Sequence, residues 1–362
     1  MSLFATVAAR SRRTRRAAGV LVCALALLPG CAAPLPSPPG AAPRSFAAAG
    51  AKAPPAFAYV LIDGGFQIFA AGSRKPLRGS IVPGLAAAIG CDASGDFYVG
   101  NLTLNYVGVY APCGTPVLRT ISRGTGGPVA LAFDRTGNLY VANRGAQTVS
   151  VYAPGAASPL RIVKDGIRQP SAIAIDAKGR LYVLDAVRTG FVTAYAPNGV
   201  RLQTTVRAGI NHPYALAIDA RDDLYVANLG RRANGAFAGS SIAIYAPRGT
   251  SPLRTIRAGI SAPEALAFDH RGSLYVANAA AGANANGWIT VYAAGAVTPS
   301  KTIPTGGDLP VSMAFGPGGN LYVVNANNAG PGSMTVYGPL LRRLFRTTDG
   351  IDGPLSVRAC KA

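Results

Sequence analysis

The sequence predicts an all-β protein, a seven-bladed β-propeller of four-stranded blades. A LYVAN-like segment recurs seven times, and the steps between its tyrosines run from 39 to 50 residues. Each copy contains four short apolar runs, of the types PVALAFD, NLYVAN, TVSVYAP and PLRIV, separated by Gly, Pro, Asp and Asn. A repeat of this length with four strand-like runs is typical of a propeller blade. The repeated tyrosines are Tyr59, Tyr98, Tyr140, Tyr182, Tyr225, Tyr275 and Tyr322.

The first run of each copy should form the innermost strand of its blade. It carries paired alanines, such as Ala130 with Ala132 and Ala265 with Ala267, because little room is left beside the axis of a ring. The second and third runs are apolar on both faces, as expected for a sheet packed between two others. The segments DRTG, DAKG and DHRG predict hairpin turns, in which Asp binds turn amides and Gly takes a positive φ.

The two ends of the chain are expected to meet in one blade. The first copy begins at its second run, FAYVLIDGGF, and has no run of the first type. The missing run stands at the C-terminus, where GIDGPLSVRAC repeats the signature and Pro354 matches Pro128 and Pro170 of other copies. The C-terminal strand should therefore pair into the N-terminal blade, which closes the ring and removes an exposed sheet edge.

Residues 1–30 predict a secretory signal rather than part of the fold. Five arginines precede the apolar run AAGVLVCALALL, which is too short to span a bilayer. The run leads into LPGC and resembles a bacterial lipoprotein signal, in which Cys31 is lipidated after cleavage. Pro29 replaces the small residue usual there, and cleavage after CAA or an uncut anchor are the alternatives. The prediction is an exported protein, either anchored in a membrane and facing the periplasm or cell surface, or secreted.

Residues 31–56 predict a tether, and residues 57–362 the propeller. The tether is rich in Pro and Ala and shows neither a strand nor a helix period. The whole chain has a net charge of +20, and loss of the five signal arginines leaves +15. Such a charge favours anionic neighbours. Nucleic acid is not an expected partner, because an exported protein is separated from it. In addition, no aromatic residues that could stack on bases are interleaved with the basic residues.

The repeated segments carry a resemblance to known families. LYVANRGAQTVSVYAPG and its copies resemble the YVTN and NHL-type β-propeller repeats of exported bacterial proteins, over essentially all of 57–360. The resemblance implies the propeller fold. It says little about function, since families that share the repeat include extracellular binding proteins, lyases and metal-dependent lactonases.

A ligand face is predicted where the loops between the second and third runs open, beside the links into each following first run. An asparagine ends the second run in most copies and belongs to this face. The favoured interpretation of the asparagines is structural, because a residue shared by every repeat usually serves the repeat, here by bonding to nearby backbone. The asparagines are Asn101, Asn143, Asn228, Asn278 and Asn325.

A functional site should break the repeat, and three residues on this face do so. His212 stands where other copies have Gly, Gln or Ala; Glu264 is the only glutamate; and Asp185 replaces the common Asn. A propeller hydrolase or lyase, lactonase-like or virginiamycin-lyase-like, would use such groups near the axis to bind a divalent metal or move a proton. One His and one Glu from neighbouring blades are few for this purpose. An enzyme is therefore the alternative function, and no metal or cofactor is predicted.

Enlarged loops on the same face distinguish the fifth, sixth and seventh copies. Long loops on one side of a rigid ring commonly form binding surfaces. In the fifth copy, Arg231 and Arg232 with Phe237 suit an anionic polymer or a peptide, whereas a flexible polar loop is the alternative. The favoured function is a monomeric binding platform of the bacterial cell envelope, with an envelope protein, a peptide or an anionic polymer as its partner.

Three cysteines remain in the predicted domain: Cys91, Cys113 and Cys360. An oxidising compartment favours a disulfide. A bond from Cys113 to either of the other two would cross-link the ring near its seam, but the spacing does not define the connectivity.

Overall fold

The chain forms a ring of seven antiparallel sheets around a central axis. A computed structural model describes residues 56–361, apart from 113–116, 188, 198–200, 234–235, 280–285, 317 and 328–330. These residues form thirty strands and no helix, so none of them belongs to a helix long and apolar enough to cross a membrane. The predicted signal, Cys31 and the tether lie outside the described residues, except for Ala56 at the start of the first strand. The all-β prediction is confirmed.

The first blade joins the two ends of the chain. The N-terminal side supplies β1 (Ala56–Ile62), β2 (Gly65–Ala70) and β3 (Arg78–Ile81), and β30 (Ser356–Lys361) pairs antiparallel with β1 as the innermost strand. The prediction that the C-terminal strand closes the ring is therefore confirmed.

Six further blades follow in chain order, each with four antiparallel strands. The innermost strands of the seven blades contact one another in a closed cycle, which defines the axis. From the axis outward, the strands are β4 (Ala86–Cys91), β5 (Phe97–Asn101), β6 (Tyr106–Tyr110) and β7 (Val117–Ile121); β8 (Pro128–Phe133), β9 (Leu139–Asn143), β10 (Thr148–Tyr152) and β11 (Arg161–Val163); and β12 (Pro170–Ile175), β13 (Arg180–Asp185), β14 (Phe191–Pro197) and β15 (Leu202–Val206).

The fifth blade differs by an added hairpin between its second and third strands. The hairpin consists of β18 (Arg231–Ala233) and β19 (Ala236–Ala238). The remaining strands of the fifth, sixth and seventh blades are β16 (Pro213–Ile218), β17 (Leu224–Asn228), β20 (Ser241–Tyr245) and β21 (Arg254–Ile256); β22 (Pro263–Phe268), β23 (Leu274–Asn278), β24 (Trp288–Tyr292) and β25 (Lys301–Pro304); and β26 (Leu309–Phe315), β27 (Leu321–Ala326), β28 (Ser333–Tyr337) and β29 (Arg343–Thr347).

Neighbouring blades pack through the side chains of their inner strands. Leu216 of the fifth blade lies in one buried cluster with Ala172 and Ala174 of the fourth. In the same way, Leu266 of the sixth blade clusters with the two alanines of the fifth. A large aliphatic side chain beside two small ones lets adjacent inner strands approach closely without leaving voids. This packing explains why the first run of the repeat carries paired alanines.

One face of the ring, here called the turn face, carries the turns between the first and second strands. In the third blade, Asp134 Oδ1 accepts hydrogen bonds from the amides of Thr136 and Asn138, both at 2.9 Å. Its Oδ2 accepts one from the Tyr140 hydroxyl at 3.3 Å. Equivalent bonds surround Asp219 in the fifth blade. The structural role predicted for these turn aspartates is confirmed.

Aromatic stacking reinforces the junction between the first and second blades, and a disulfide lies beside it. The rings of Tyr59 and Phe97 stack with centroids 4.5 Å apart, and Phe97 stacks on Tyr110 at 4.9 Å. Cys91, at the turn-face end of β4, is disulfide-bonded. The side chains of Cys113 and Cys360 lie outside the described part of the chain. A covalent cross-link thus lies beside the blade in which the two ends of the chain meet.

Candidate functional site

The opposite face, here called the loop face, is the one where the second strands end and the third strands begin. Near this face the inner strand of six blades contains one extra residue that has no partner on the second strand. A β-bulge of this kind turns a side chain out of the regular ladder and is common beside functional sites. The extra residues are Ala87, Val129, Ser171, Tyr214, Glu264 and Val311.

Tyr214 interacts with both Arg144 and Glu264, and the three residues are here called the axial site. The Tyr214 hydroxyl donates a hydrogen bond to the Glu264 carboxylate of the next blade. Arg144 of the third blade interacts electrostatically with Tyr214 of the fifth. The fourth blade lies between the third and the fifth in the ring. Arg144 and Tyr214 therefore approach each other on the axial side of the fourth blade. The axial site therefore lies near the axis on the loop face.

Desolvation controls the charge of the axial site. It raises the pKa of Glu264 to about 7, and the hydrogen bond from Tyr214 opposes this only in part. Desolvation also raises the pKa of Tyr214 and lowers that of Arg144. The Glu264 and Tyr214 residues nevertheless keep part of their surface accessible. Glu264 can thus exchange a proton near neutral pH, while Arg144 keeps its charge.

Asp185 is fully buried at the end of β13 and binds the backbone of its own blade. Its Oδ1 accepts hydrogen bonds from the amides of Arg168 at 2.8 Å and Gln169 at 2.7 Å. Its Oδ2 is also buried and makes no hydrogen bond. Desolvation raises the pKa of Asp185 to about 6, although the two amides and the Arg168 charge oppose the rise. Asp185 therefore caps the link into the fourth blade and is not part of the axial site.

His212 lies in the link between the fourth and fifth blades. Its backbone is left-handed, with φ of 52°, as are the equivalent residues of the third and sixth blades. Its Nδ1 lies 2.9 Å from Asn211 Oδ1, and its carbonyl oxygen accepts a hydrogen bond from the Leu229 amide at 3.0 Å. Of the three residues that break the repeat, the structure places only Glu264 in the axial site.

The asparagines that end the second strands are completely buried, as the capping interpretation predicts. Asn143 accepts a hydrogen bond from the Gly126 amide at 3.0 Å and donates one to the Gly124 carbonyl oxygen at 3.2 Å. Asn228 binds the link into the fifth blade in the same way. These side chains hold the links to the second strands and present no surface to a ligand. The buried set is Asn101, Asn143, Asn228, Asn278 and Asn325.

The enlarged loop of the fifth blade is an antiparallel hairpin, here called the arm (β18 and β19), rather than an irregular loop. Arg231 lies opposite Ala238, and Arg232 lies opposite Phe237. Gly230 precedes the arm with φ of +81°, and a Cβ there would lie 2.2 Å from the Ala238 carbonyl oxygen, so only glycine fits. Arg231 is exposed and Phe237 is half-buried. Residues 280–285 and 328–330, in the enlarged loops of the next two blades, lie outside the described residues.

The arm is rooted in the links on both sides of the fifth blade. The Ser240 hydroxyl donates to the Leu229 carbonyl oxygen at 2.7 Å and accepts a hydrogen bond from the Ala262 amide at 3.1 Å. Leu229 in turn binds His212 of the preceding link. Among the described residues, the arm makes few contacts with the sheets of the ring. The arm is thus held at its base by hydrogen bonds to the two links, while the hairpin itself makes few contacts with the sheets.

The axial site contains no cluster of side chains that could bind a metal cation. In the part of the chain that the structure describes, no three His, Cys, Asp or Glu side chains are grouped so as to hold a metal ion. The site combines one carboxyl with a phenol and a guanidinium, and the guanidinium charge repels cations. That the protein works without a cofactor stays a prediction.

Sequence reasoning found Glu264 but missed its two companions. Tyr214 occupies the same repeat position as Glu264, one blade earlier, and Arg144 follows the capping Asn143. A comparison of the repeats at these two positions would have found both. The residues that stand at the position of Arg144 in the other six blades are Asp63, Leu102, Ala186, Leu229, Ala279 and Ala326.

Comparison with known proteins supports the fold. No family model and no curated protein matches this sequence. Among solved structures, it is similar to hydrazine synthase of Kuenenia stuttgartiensis, with a TM-score of 0.62 and 16% sequence identity, over 76% of this chain and 90% of that chain. At this identity the similarity shows the fold alone. The chain is a seven-bladed β-propeller, and its resemblance to YVTN and NHL-type repeats stays a prediction.

Proposed function

We propose that this protein is an exported, membrane-tethered binding platform of the bacterial cell envelope, which binds an acidic polymer or peptide through its arm. The observation that carries the proposal is the arm itself. It is an ordered element added to one blade, it is rooted in two links, and it exposes Arg231 on the loop face. Elements added to one side of a rigid repeat ring commonly serve recognition.

Charge indicates the class of partner. Two consecutive arginines, Arg231 and Arg232, begin the arm, and the whole chain has a net charge of +20. A protein of this charge attracts polyanions and repels basic surfaces. Export and the anchor at Cys31 rest on the signal pattern of residues 1–31. The tether would keep the propeller close to the acidic polymers of an envelope.

Binding of a labelled glutamate-rich peptide, followed by fluorescence anisotropy, tests the proposal. The double variant Arg231→Glu with Arg232→Glu should weaken binding by about tenfold or more, because it replaces attraction with repulsion at the contact. The matched control is Arg135→Glu with Lys178→Glu, which makes the same change of charge at exposed positions of the turn face. Equal losses for both variants, or no loss for the arm variant, would contradict a site on the arm.

A hydrolase or lyase is the second candidate, and Glu264 is the observation that favours it. A carboxyl group with a pKa of about 7 suits general acid–base catalysis at neutral pH. Elemental analysis of the purified protein, with thermal melting in calcium and zinc, separates the two candidates. A stoichiometric metal, or a melting shift that Glu264→Gln or His212→Ala abolishes, favours a lactonase-like or lyase-like centre. A result with neither metal nor shift excludes a metal-dependent centre and leaves a metal-free lyase as the alternative to the platform.

A further inference from the structure

We infer that the axial site binds a small organic anion, a carboxylate with an apolar body, through Arg144, with Tyr214 and Glu264 as hydrogen-bond partners. This site lies on the inner strands, whereas the proposed platform uses the arm. The inference therefore goes beyond the platform and can fail or succeed independently of it.

The bulge residues form a ring with one polar arc and one apolar arc. The fourth, fifth and sixth blades contribute Ser171, Tyr214 and Glu264, whereas the seventh, second and third contribute Val311, Ala87 and Val129. In the first blade, the half-buried Leu355 precedes β30 and continues the apolar arc. A ring divided in this way suits a ligand with a polar group on one side and a hydrocarbon body on the other.

The fixed charge of the site selects an anion. Arg144 keeps its guanidinium charge in a desolvated position, where a carboxylate can make charge-assisted hydrogen bonds to it. Around Glu264, β16 supplies Tyr214, and β26 contains no titratable residue. Asp308, just before β26, is held by Arg346, whose Nε lies 3.0 Å from its Oδ2. Glu264 is thus the only acid among the six bulge residues.

The protonation of Glu264 couples binding to pH. A protonated Glu264 can donate a hydrogen bond to the ligand carboxylate, whereas an ionised Glu264 repels it. Since desolvation holds the pKa of Glu264 at about 7, the bound anion favours the protonated form and raises this pKa further. By linkage, the affinity for the anion must fall as the pH rises through this region.

Titration calorimetry with hexanoate tests the inference, and hexylammonium serves as a probe of the same size and opposite charge. The protein should bind hexanoate in preference to hexylammonium, and the hexanoate affinity should fall about tenfold between about pH 6 and about pH 8. Glu264→Gln should keep the affinity seen at the lower pH and remove the pH dependence. Arg144→Gln should weaken binding about tenfold at both pH values.

The control is Arg135→Gln, which removes an exposed charge on the turn face and should leave hexanoate binding unchanged. Thermal melting of each variant shows that it is folded. Preference for hexylammonium, no binding of hexanoate, or hexanoate binding that Arg144→Gln does not affect would each overturn the inference. The arm variant should bind hexanoate normally, and Arg144→Gln should bind the acidic peptide normally, so failure of one site does not imply failure of the other.

Discussion

The two faces of the ring differ in how uniformly the blades are built. On the turn face, one aspartate in the turn of each blade from the second to the sixth accepts hydrogen bonds from the amides two and four residues later, as Asp92, Asp134 and Asp219 show. On the loop face, the fourth blade replaces the capping Asn by Asp185, the fifth adds the arm, and the sixth places Glu264 on its bulge. Hydrogen bonds that recur from blade to blade stabilise the fold. Asp185 keeps such a capping role, whereas the arm and Glu264 add groups that the repeat does not need.

Asp134 of the turn face also differs in its electrostatics from Asp185 and Glu264 of the loop face. Desolvation acts on Asp134, but the hydrogen bonds from Thr136 and Asn138 outweigh it and hold its pKa below the ordinary value. For Asp185 and Glu264, desolvation outweighs every opposing interaction, and the pKa values rise to about 6 and about 7. The charged form of Asp134 therefore stabilises the fold, whereas ionisation of Asp185 and Glu264 costs stability.

Removal of the disulfide at the turn-face end of β4 should have the largest effect on stability. Cys91→Ser should lower the free energy of unfolding by about 2–5 kcal/mol, because the cross-link restricts the unfolded chain. Urea unfolding without reductant measures the change. The unsubstituted protein with reductant is the control and should fall to the same value. A variant as stable as the oxidised protein would show that the seam does not depend on the cross-link.

Asp185→Asn should stabilise the protein at neutral pH. The Asp185 pKa rises from 3.8 to about 6 on folding, so ionisation costs about 3 kcal/mol of stability at about pH 8 and nothing below both values. The wild type loses this stability as the pH rises from about 4 through about 6. The introduced amide can also donate to the Gly166 carbonyl oxygen, as Asn143 does to Gly124. Urea unfolding of both proteins across this pH range should show curves that meet at the acid end; parallel curves would contradict the assignment.

Asp134→Ala should break one turn of the turn face. It removes two hydrogen bonds from backbone amides and three from the side chains of Thr136, Asn138 and Tyr140, for an expected loss of about 1–3 kcal/mol at neutral pH. Arg135→Ala, at the exposed neighbouring position, should change the stability by less than about 0.5 kcal/mol. Both are measured by urea unfolding, and equal effects would show that the turn aspartates do not stabilise the repeat.

Arg231→Ser should have the smallest effect. The side chain is exposed on the arm, so the free energy of unfolding should change by less than about 0.5 kcal/mol. Urea unfolding at neutral pH provides the value. A loss comparable with that of Asp134→Ala would mean that the arm serves the fold, and would remove the contrast between the two faces.

Most of the fold could be predicted from the sequence because the pattern of one four-stranded blade recurs seven times. The tyrosine steps, the four runs and Pro354 predict the blades and their closure, and the structure confirms them. The axial site could be predicted only in part. Arg144 and Tyr214 lie 70 residues apart in the chain, and their approach depends on bulges and ring curvature that no local pattern records. Asp185 was recognised as a departure, but its burial, which decides its role, comes from packing.

The arm shows a different limit of sequence reasoning. The enlarged loop of the fifth blade is rich in Gly, Ala and Arg and has no clear alternation of apolar and polar residues. Such a segment does not specify a strand register by itself. Its pairing depends on Gly230 and on the hydrogen bonds of Ser240, which involve the folded links on both sides.

The most direct test of the account is the titration of Glu264 itself. Because Glu264 is the only glutamate in the chain, glutamate labelled with ¹³C at the side-chain carboxyl gives one glutamate carboxyl resonance in the NMR spectrum. The account predicts a titration midpoint at about pH 7 that moves to higher pH when hexanoate is added. A midpoint near the ordinary value of 4.5, unchanged by hexanoate, would contradict both the desolvated axial site and its role in binding an anion.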